Sequence, residues 1–113
     1  MKDNVIRDKS FQFALKIIEL FKQMQAKKEY VLSTQLLKSG TSIGANVEES
    51  QAAQSKKDFL SKMSIASKEA RETRYWLLLL KESGLVSIDV SVLLRDIDEI
   101  CKILTSIVKS SAK

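Results

Sequence analysis

The stretch Ser39-Gly40-Thr41-Ser42-Ile43-Gly44-Ala45-Asn46-Val47-Glu48-Glu49 decides how this chain is read. After a short polar break comes its counterpart, Lys68-Glu69-Ala70-Arg71-Glu72-Thr73-Arg74-Tyr75-Trp76-Leu77. Small residues, one amide and several acids sit where two helices should bury their faces. An ordinary bundle core would place Leu and Ile there. Gly40 and Gly44 are one turn apart, and each costs a helix interior about 1 kcal/mol relative to Ala. Such glycines are kept where something comes close to the backbone or the helix bends. Close helix–helix packing is the simplest explanation, and a ligand against the backbone is the alternative.

Working outward, Leu32, Leu36, Ile43 and Val47 share one face, which predicts helix 2 over about residues 33–50. Ser55-Lys56-Lys57-Asp58 fits a capping box and starts helix 3, predicted over 56–83. Its inner face reads Phe59, Met63, Ala66, Ala70, Thr73, Leu77 and Leu80. The run Trp76-Leu77-Leu78-Leu79-Leu80 is apolar on every side and must be covered all round. Gly84 is placed to cap the end. Upstream, helix 1 is predicted over 10–27 with two apolar stripes. One is Phe11, Ala14, Leu15, Ile18 and Phe21, and the other is Phe13, Ile17, Leu20 and Met24. Together they exceed what a single bundle face needs and point to a second contact surface. Helix 4 is predicted over 89–109, capped by Ser87 or Asp89. Its residues Leu93, Ile97, Ile100, Leu104 and Ile107 step by four and three, as a bundle seam does. Leu94, Cys101 and Val108 flank that seam, so Cys101 reads as a small core residue. Residues 110–113 read as a frayed tail. Short connections favour antiparallel neighbours, and the expected fold is an all-α, up-down-up-down four-helix bundle.

Composition agrees. The chain has 113 residues, no Pro and 3 Gly, so one helical domain is expected, spanning residues 1–113. Charged residues make up 29%, and no apolar run approaches the ~20 residues of a membrane span. The opening Met1-Lys2-Asp3-Asn4 leads into a charged segment, unlike a signal peptide. With a single cysteine, these features point to a cytoplasmic protein with no internal disulfide.

The chain has no His, which removes the usual general base, the usual zinc ligand and the Ser–His nucleophile pair. Glu69 and Glu72 have the spacing of a carboxylate metal motif, with Glu48 able to face them, but the His partners are missing. A divalent cation held by carboxylates alone is the reading this leaves. The simpler expectation is a structural polar core of Asn46, Glu48, Glu69, Arg71 and Glu72, in which the acids pair with Arg71 or Arg74. No enzymatic activity, cofactor or metal is expected.

The quoted segment, read from Gln35 to Glu49, and the segment from Phe59 to Leu80 resemble a known family, the bacterial 23S rRNA intervening-sequence proteins. The pattern Ser-Ile-x-x-Asn-Val-x-Glu at Ser42 to Glu49 carries the resemblance. So do Ser55, Asp58-Phe59, Ile65-Ala66 and Glu69 through Thr73 downstream. The resemblance implies an antiparallel four-helix bundle that assembles as a homopentamer. It also implies kinship with the accessory variability determinant of diversity-generating retroelements, a basic barrel that binds a reverse transcriptase and nucleic acid. Many members have Pro at the position of Gly44, which implies a bend in helix 2.

The net charge of +5 allows attraction to phosphate backbones without requiring it. Arg95, Lys102 and Lys109 recur every seven residues on the outside of helix 4. Lys2, Lys9 and Lys16 repeat that spacing, and Lys57 and Lys68 share the outer face of helix 3. A solvated surface has the same pattern. The expected function is a non-enzymatic homo-oligomer that binds RNA or DNA through Arg95, Lys102, Lys109, Lys9, Lys16, Lys57 and Lys68. Few exposed aromatics are expected, so base stacking is not. The alternative is a protein–protein adaptor for a polymerase or ribosome-associated partner, with no nucleic-acid contact.

Overall fold

The computed structural model describes residues 2–112, with side chains from Val5 onward. Met1 and Lys113 lie outside the described residues, as does the side chain of Lys2 in the predicted basic stripe. Four helices follow one another: α1 (Lys2–Ala26), α2 (Val31–Ser50), α3 (Lys56–Ser83) and α4 (Ser91–Ser111). Consecutive helices pack side by side, and α1 closes the ring against α4. Cross-helix pairs fix the antiparallel sense. Gly40 lies against Ile17 and Gly44 against Ser10. On the next side, Ser39 meets Thr73 and Glu49 meets Lys62. The result is an up-down-up-down four-helix bundle, 44 × 20 × 20 Å.

The predicted start of α1 at residue 10 is eight residues late. Ile6 is buried and continues the seam Ser10, Phe13, Ile17, Leu20 and Met24. Ser10, at the predicted start, lies inside the helix, and its hydroxyl donates to the Arg7 carbonyl at 3.2 Å, as an interior helical serine does. Only one of the two apolar stripes of α1 faces the core. The other leaves Phe11 61%, Leu15 46% and Ile18 41% exposed.

The helix ends have identifiable causes. Glu29 Oε1 accepts from the Ser33 amide at 3.0 Å and satisfies one of the first-turn donors of α2. Ser55 caps α3, accepting from the Asp58 amide at 3.0 Å, while Asp58 reaches back to the Gln54 amide at 3.3 Å. Gly84 ends α3 at φ +62°, the left-handed conformation that disfavours a Cβ. Neither Ser87 nor Asp89 occupies the cap position of α4, which is Val90, yet Asp89 Oδ1 accepts from the Ser91 amide at 2.9 Å.

The core follows the predicted inner faces of α2, α3 and α4, including Leu36, Ile43, Val47, Met63, Ala66, Ala70, Leu77 and the whole α4 seam. Gly40 shows why α2 needs a glycine here. A Cβ built on it would sit 2.8 Å from Ile17 Cγ1. α2 and α1 therefore approach closely, and α2 runs as helix through Gly44.

Candidate functional site

The polar residues inside the bundle are hydroxyls. Ser10, Ser33, Ser39, Ser50 and Thr73 are buried. Thr73 Oγ1 donates to the Glu69 carbonyl at 2.8 Å and shares a 2.9 Å hydrogen bond with Ser39 Oγ across the α2–α3 seam. Among the described residues, no buried side-chain polar atom lacks a partner. Short hydroxyl side chains satisfy themselves on a nearby carbonyl, so they tolerate burial where a carboxylate does not.

The expected network of Asn46, Glu48, Glu69, Arg71 and Glu72 is accordingly not formed. Glu48 is exposed and takes a two-pronged ion pair from Arg7 of α1, with Nη2–Oε2 at 2.9 Å and Nε–Oε1 at 3.2 Å. Asn46 donates to the Ser42 carbonyl of its own helix at 2.8 Å. Glu72 is exposed and accepts from Trp76 Nε1 at 3.3 Å. Glu69 is half-buried, and Arg71 lies on the opposite side of α3, facing α4. These residues sit at the edges of the buried faces, where long side chains reach water. Among the described residues no group of three or more Cys, Asp or Glu is placed to hold a metal ion.

The basic residues divide into three sets. Lys9 and Lys16 lie on the α1–α4 seam and are matched by acids: Lys9 pairs with Glu99, and Lys16 with Asp96 at 2.7 Å. Lys57 and Lys68 are exposed on α3, and Arg95 is exposed near the start of α4. Lys102 and Lys109 instead line a groove of about 1010 Å³ between α3 and α4. Its other residues are Arg71, Arg74, Asp98, Cys101, Thr105, Ser106 and Ser110. Four cations thus face one carboxylate, and Asp98 is held by Arg74 at 2.6 Å. The predicted heptad stripe on α4 is therefore split by the structure, with Lys102 and Lys109 in the groove and Arg95 outside its lining.

Arg71 and Arg74 complete the groove, and sequence reasoning did not place them in a basic site. They flank the inner stripe of α3 on one side. Only the packing of α4 on that side turns them into a groove wall. Cys101 is half-buried in the same groove. Burial and the nearby Asp98 push its thiol above the ordinary value, against the opposing pull of Arg71 and Arg74. This direction favours the protonated thiol at neutral pH.

No described helix is long and apolar enough to cross a membrane. The 23S rRNA-intervening sequence protein family model matches residues 2–106. No curated protein matches the chain. A crystal structure of a protein of unknown function, from the S23 ribosomal protein family of Bacteroides thetaiotaomicron, is similar at 49% identity. The alignment covers 96% of this chain and 99% of that one, with a TM-score of 0.90. The chain belongs to the 23S rRNA-intervening sequence protein family.

Proposed function

We propose that this member of the 23S rRNA-intervening sequence protein family is a non-enzymatic homo-oligomer that binds nucleic acid through basic surface, chiefly the α3–α4 groove. The observation that carries this reading is the groove's charge, Arg71, Arg74, Lys102 and Lys109 against Asp98 alone. A concave surface of one sign focuses potential and draws phosphate. The hydroxyls of Thr105 and Ser110 add neutral hydrogen-bonding groups between the charges. In the homopentamer that the family resemblance implies, symmetry repeats the groove in every subunit.

The test is a binding titration of RNA and DNA at two salt concentrations, with wild type and two variants. The triple change Arg71→Glu, Lys102→Glu, Lys109→Glu is expected to abolish binding at unchanged oligomer size, because all three side chains are exposed. Arg95→Glu, outside the groove, is expected to weaken binding several-fold at most. If the triple variant binds like wild type, the groove is not the site, and the exposed Lys57 and Lys68 become the next positions to test.

The adaptor reading has one observation in its favour, the exposed apolar strip Phe11, Leu15 and Ile18 on α1. Contiguous exposed apolar side chains mark a protein contact. Self-assembly accounts for the strip without a second protein. The adaptor gains if wild type binds no nucleic acid at low salt.

A further inference from the structure

We infer that the α3–α4 groove takes one phosphate backbone of a double-stranded nucleic acid in preference to a single strand; this rests on the nucleic-acid reading above. Three observations support it.

The first is the lining. It consists of Arg71, Arg74, Lys102 and Lys109, hydroxyl side chains, Asp98 and Cys101, with no aromatic ring. Proteins that hold single strands rely on base–aromatic stacking, worth about 1–3 kcal/mol per base, in addition to charge. The exposed aromatics among the described residues are elsewhere. Phe11 is on α1, Tyr30 precedes α2, and the Tyr75 ring packs edge-on against Trp76 with centroids 5.3 Å apart. A single strand in this groove has its bases unsupported and loses conformational freedom as it is fixed. A duplex arrives with its bases already stacked and its phosphates already spaced.

The second is scale. α3 and α4 pack against each other, so the groove is a surface channel along their seam, which a whole duplex cannot enter and meets with one strand at its edge. Lys102 and Lys109 are two turns apart on α4, or roughly 10 Å at the helical rise. A backbone strand lying along the groove therefore passes both lysines.

The third is the number of available cations. Arg74 is committed to Asp98. The ion pair in the groove involves Arg74 and not the side chains of Arg71, Lys102 or Lys109. These three cations can neutralise up to three phosphates. Each neutralised phosphate releases more counterion from a duplex than from a single strand, which gives a salt slope of about −2.7 per engaged subunit for the duplex and about −2.1 for the single strand.

The experiment is fluorescence anisotropy on the full chain at 50 and 200 mM salt. The probes are a DNA duplex, an RNA duplex, a DNA–RNA hybrid and their component single strands, all of one sequence. The expected result is that at least one duplex form binds about tenfold more tightly than its strands at low salt, and weakens about 40-fold or more between the two salts. The Tyr30→Ala variant, at an exposed ring outside both the groove and the apolar assembly surfaces, is expected to bind every probe like wild type. Single strands binding as tightly as the duplexes, with that binding lost in the groove triple variant, overturn the duplex inference and leave the nucleic-acid reading standing. Single-strand affinity lost in Tyr30→Ala overturns it too, by revealing a stacking site. No retention of any probe at 50 mM salt overturns both. Whichever duplex form is preferred distinguishes A-form from B-form geometry as the shape the groove fits.

Discussion

Gly40 is the residue on which the α1–α2 contact turns. The three nearest atoms to a Cβ placed there all belong to Ile17, at 2.8, 3.0 and 3.2 Å, and Ile17 is fully buried. Gly40→Ala gains about 1 kcal/mol of helix propensity. It also forces a β-branched side chain off its rotamer or pushes the helices apart, which costs about 1–3 kcal/mol. Overpacking is expected to win, lowering the denaturation midpoint at unchanged m-value. Adding Ile17→Ala is expected to cost less in the Gly40→Ala background than alone, because the two changes share one space. Equal costs in both backgrounds would show that the helices do not meet here. The need for small residues was legible in sequence, since two glycines in a helix without proline demand a reason. What was not legible was which polar residues go inside. Asn46, Glu48, Glu69 and Arg71 lie one position from buried apolar residues and Glu72 one position from buried Thr73, and a shift of 100° around a helix separates core from water. Thr73, which bonds the Glu69 carbonyl one turn back, and Ser39, bonded to Thr73, take the buried places instead.

Among the elements, the buried face of α4 was the most readable. Its 4-3-4-3 seam is apolar at every position, and all five residues are buried. α1 was half readable, because its seam is broken by Ser10 and because two apolar stripes compete for one core. Periodicity identifies a helix and its stripes, but the stripe that wins depends on what packs against it. Helix ends depend on single hydrogen bonds, and the start of α4 offers a pH test. Asp89 lies below its ordinary value of 3.8, chiefly because its carboxylate accepts from the Ser91 backbone, with a further contribution from the Ser91 side chain. A carboxylate with a depressed native pKa stabilises the fold fully above its unfolded value and loses that contribution as pH falls through the native one. Asp89→Ala is therefore expected to melt slightly below wild type from neutral pH down to about pH 5, with the gap closing on further acidification. A gap that persists unchanged into strong acid would assign the effect to something other than the charge.

At the scale of the molecule, the bundle is a rod that exposes more than its mass requires. Its accessible surface is 6789 Å². A compact monomer of this mass exposes about 6,200 Å². The excess coincides with apolar side chains that the bundle leaves uncovered. Phe11, Leu15 and Ile18 form a continuous strip on α1, and it opens into a groove between α1 and α2 lined by Phe11, Ala14, Thr41, Gly44 and Ala45 together with Ser10 and the Arg7–Glu48 ion pair. On α3, Leu79 and Tyr75 are exposed beside the half-buried Trp76 and Leu78. The all-round apolar end of α3 is thus only partly covered by its own chain. Two such surfaces on one chain suit a head-to-tail contact, one chain's strip against its neighbour's second surface, and such contacts close into rings. Wild type is therefore expected to scatter light as a homo-oligomer at micromolar concentration, a multiple of 12.7 kDa, with the fivefold mass that the family resemblance implies. Phe11→Glu combined with Ile18→Glu is expected to release single chains of unchanged helicity, since neither side chain is buried in the isolated bundle. Leu79→Glu tests the second surface in the same way. Release by both variants supports a head-to-tail ring, while release by the α1 variant alone assigns the contact to a self-complementary strip. A wild-type mass of one chain removes self-assembly as the reason for the exposed strip. The strip would then have to meet a different protein, and the groove proposed to bind nucleic acid would act once per molecule instead of as a repeated array.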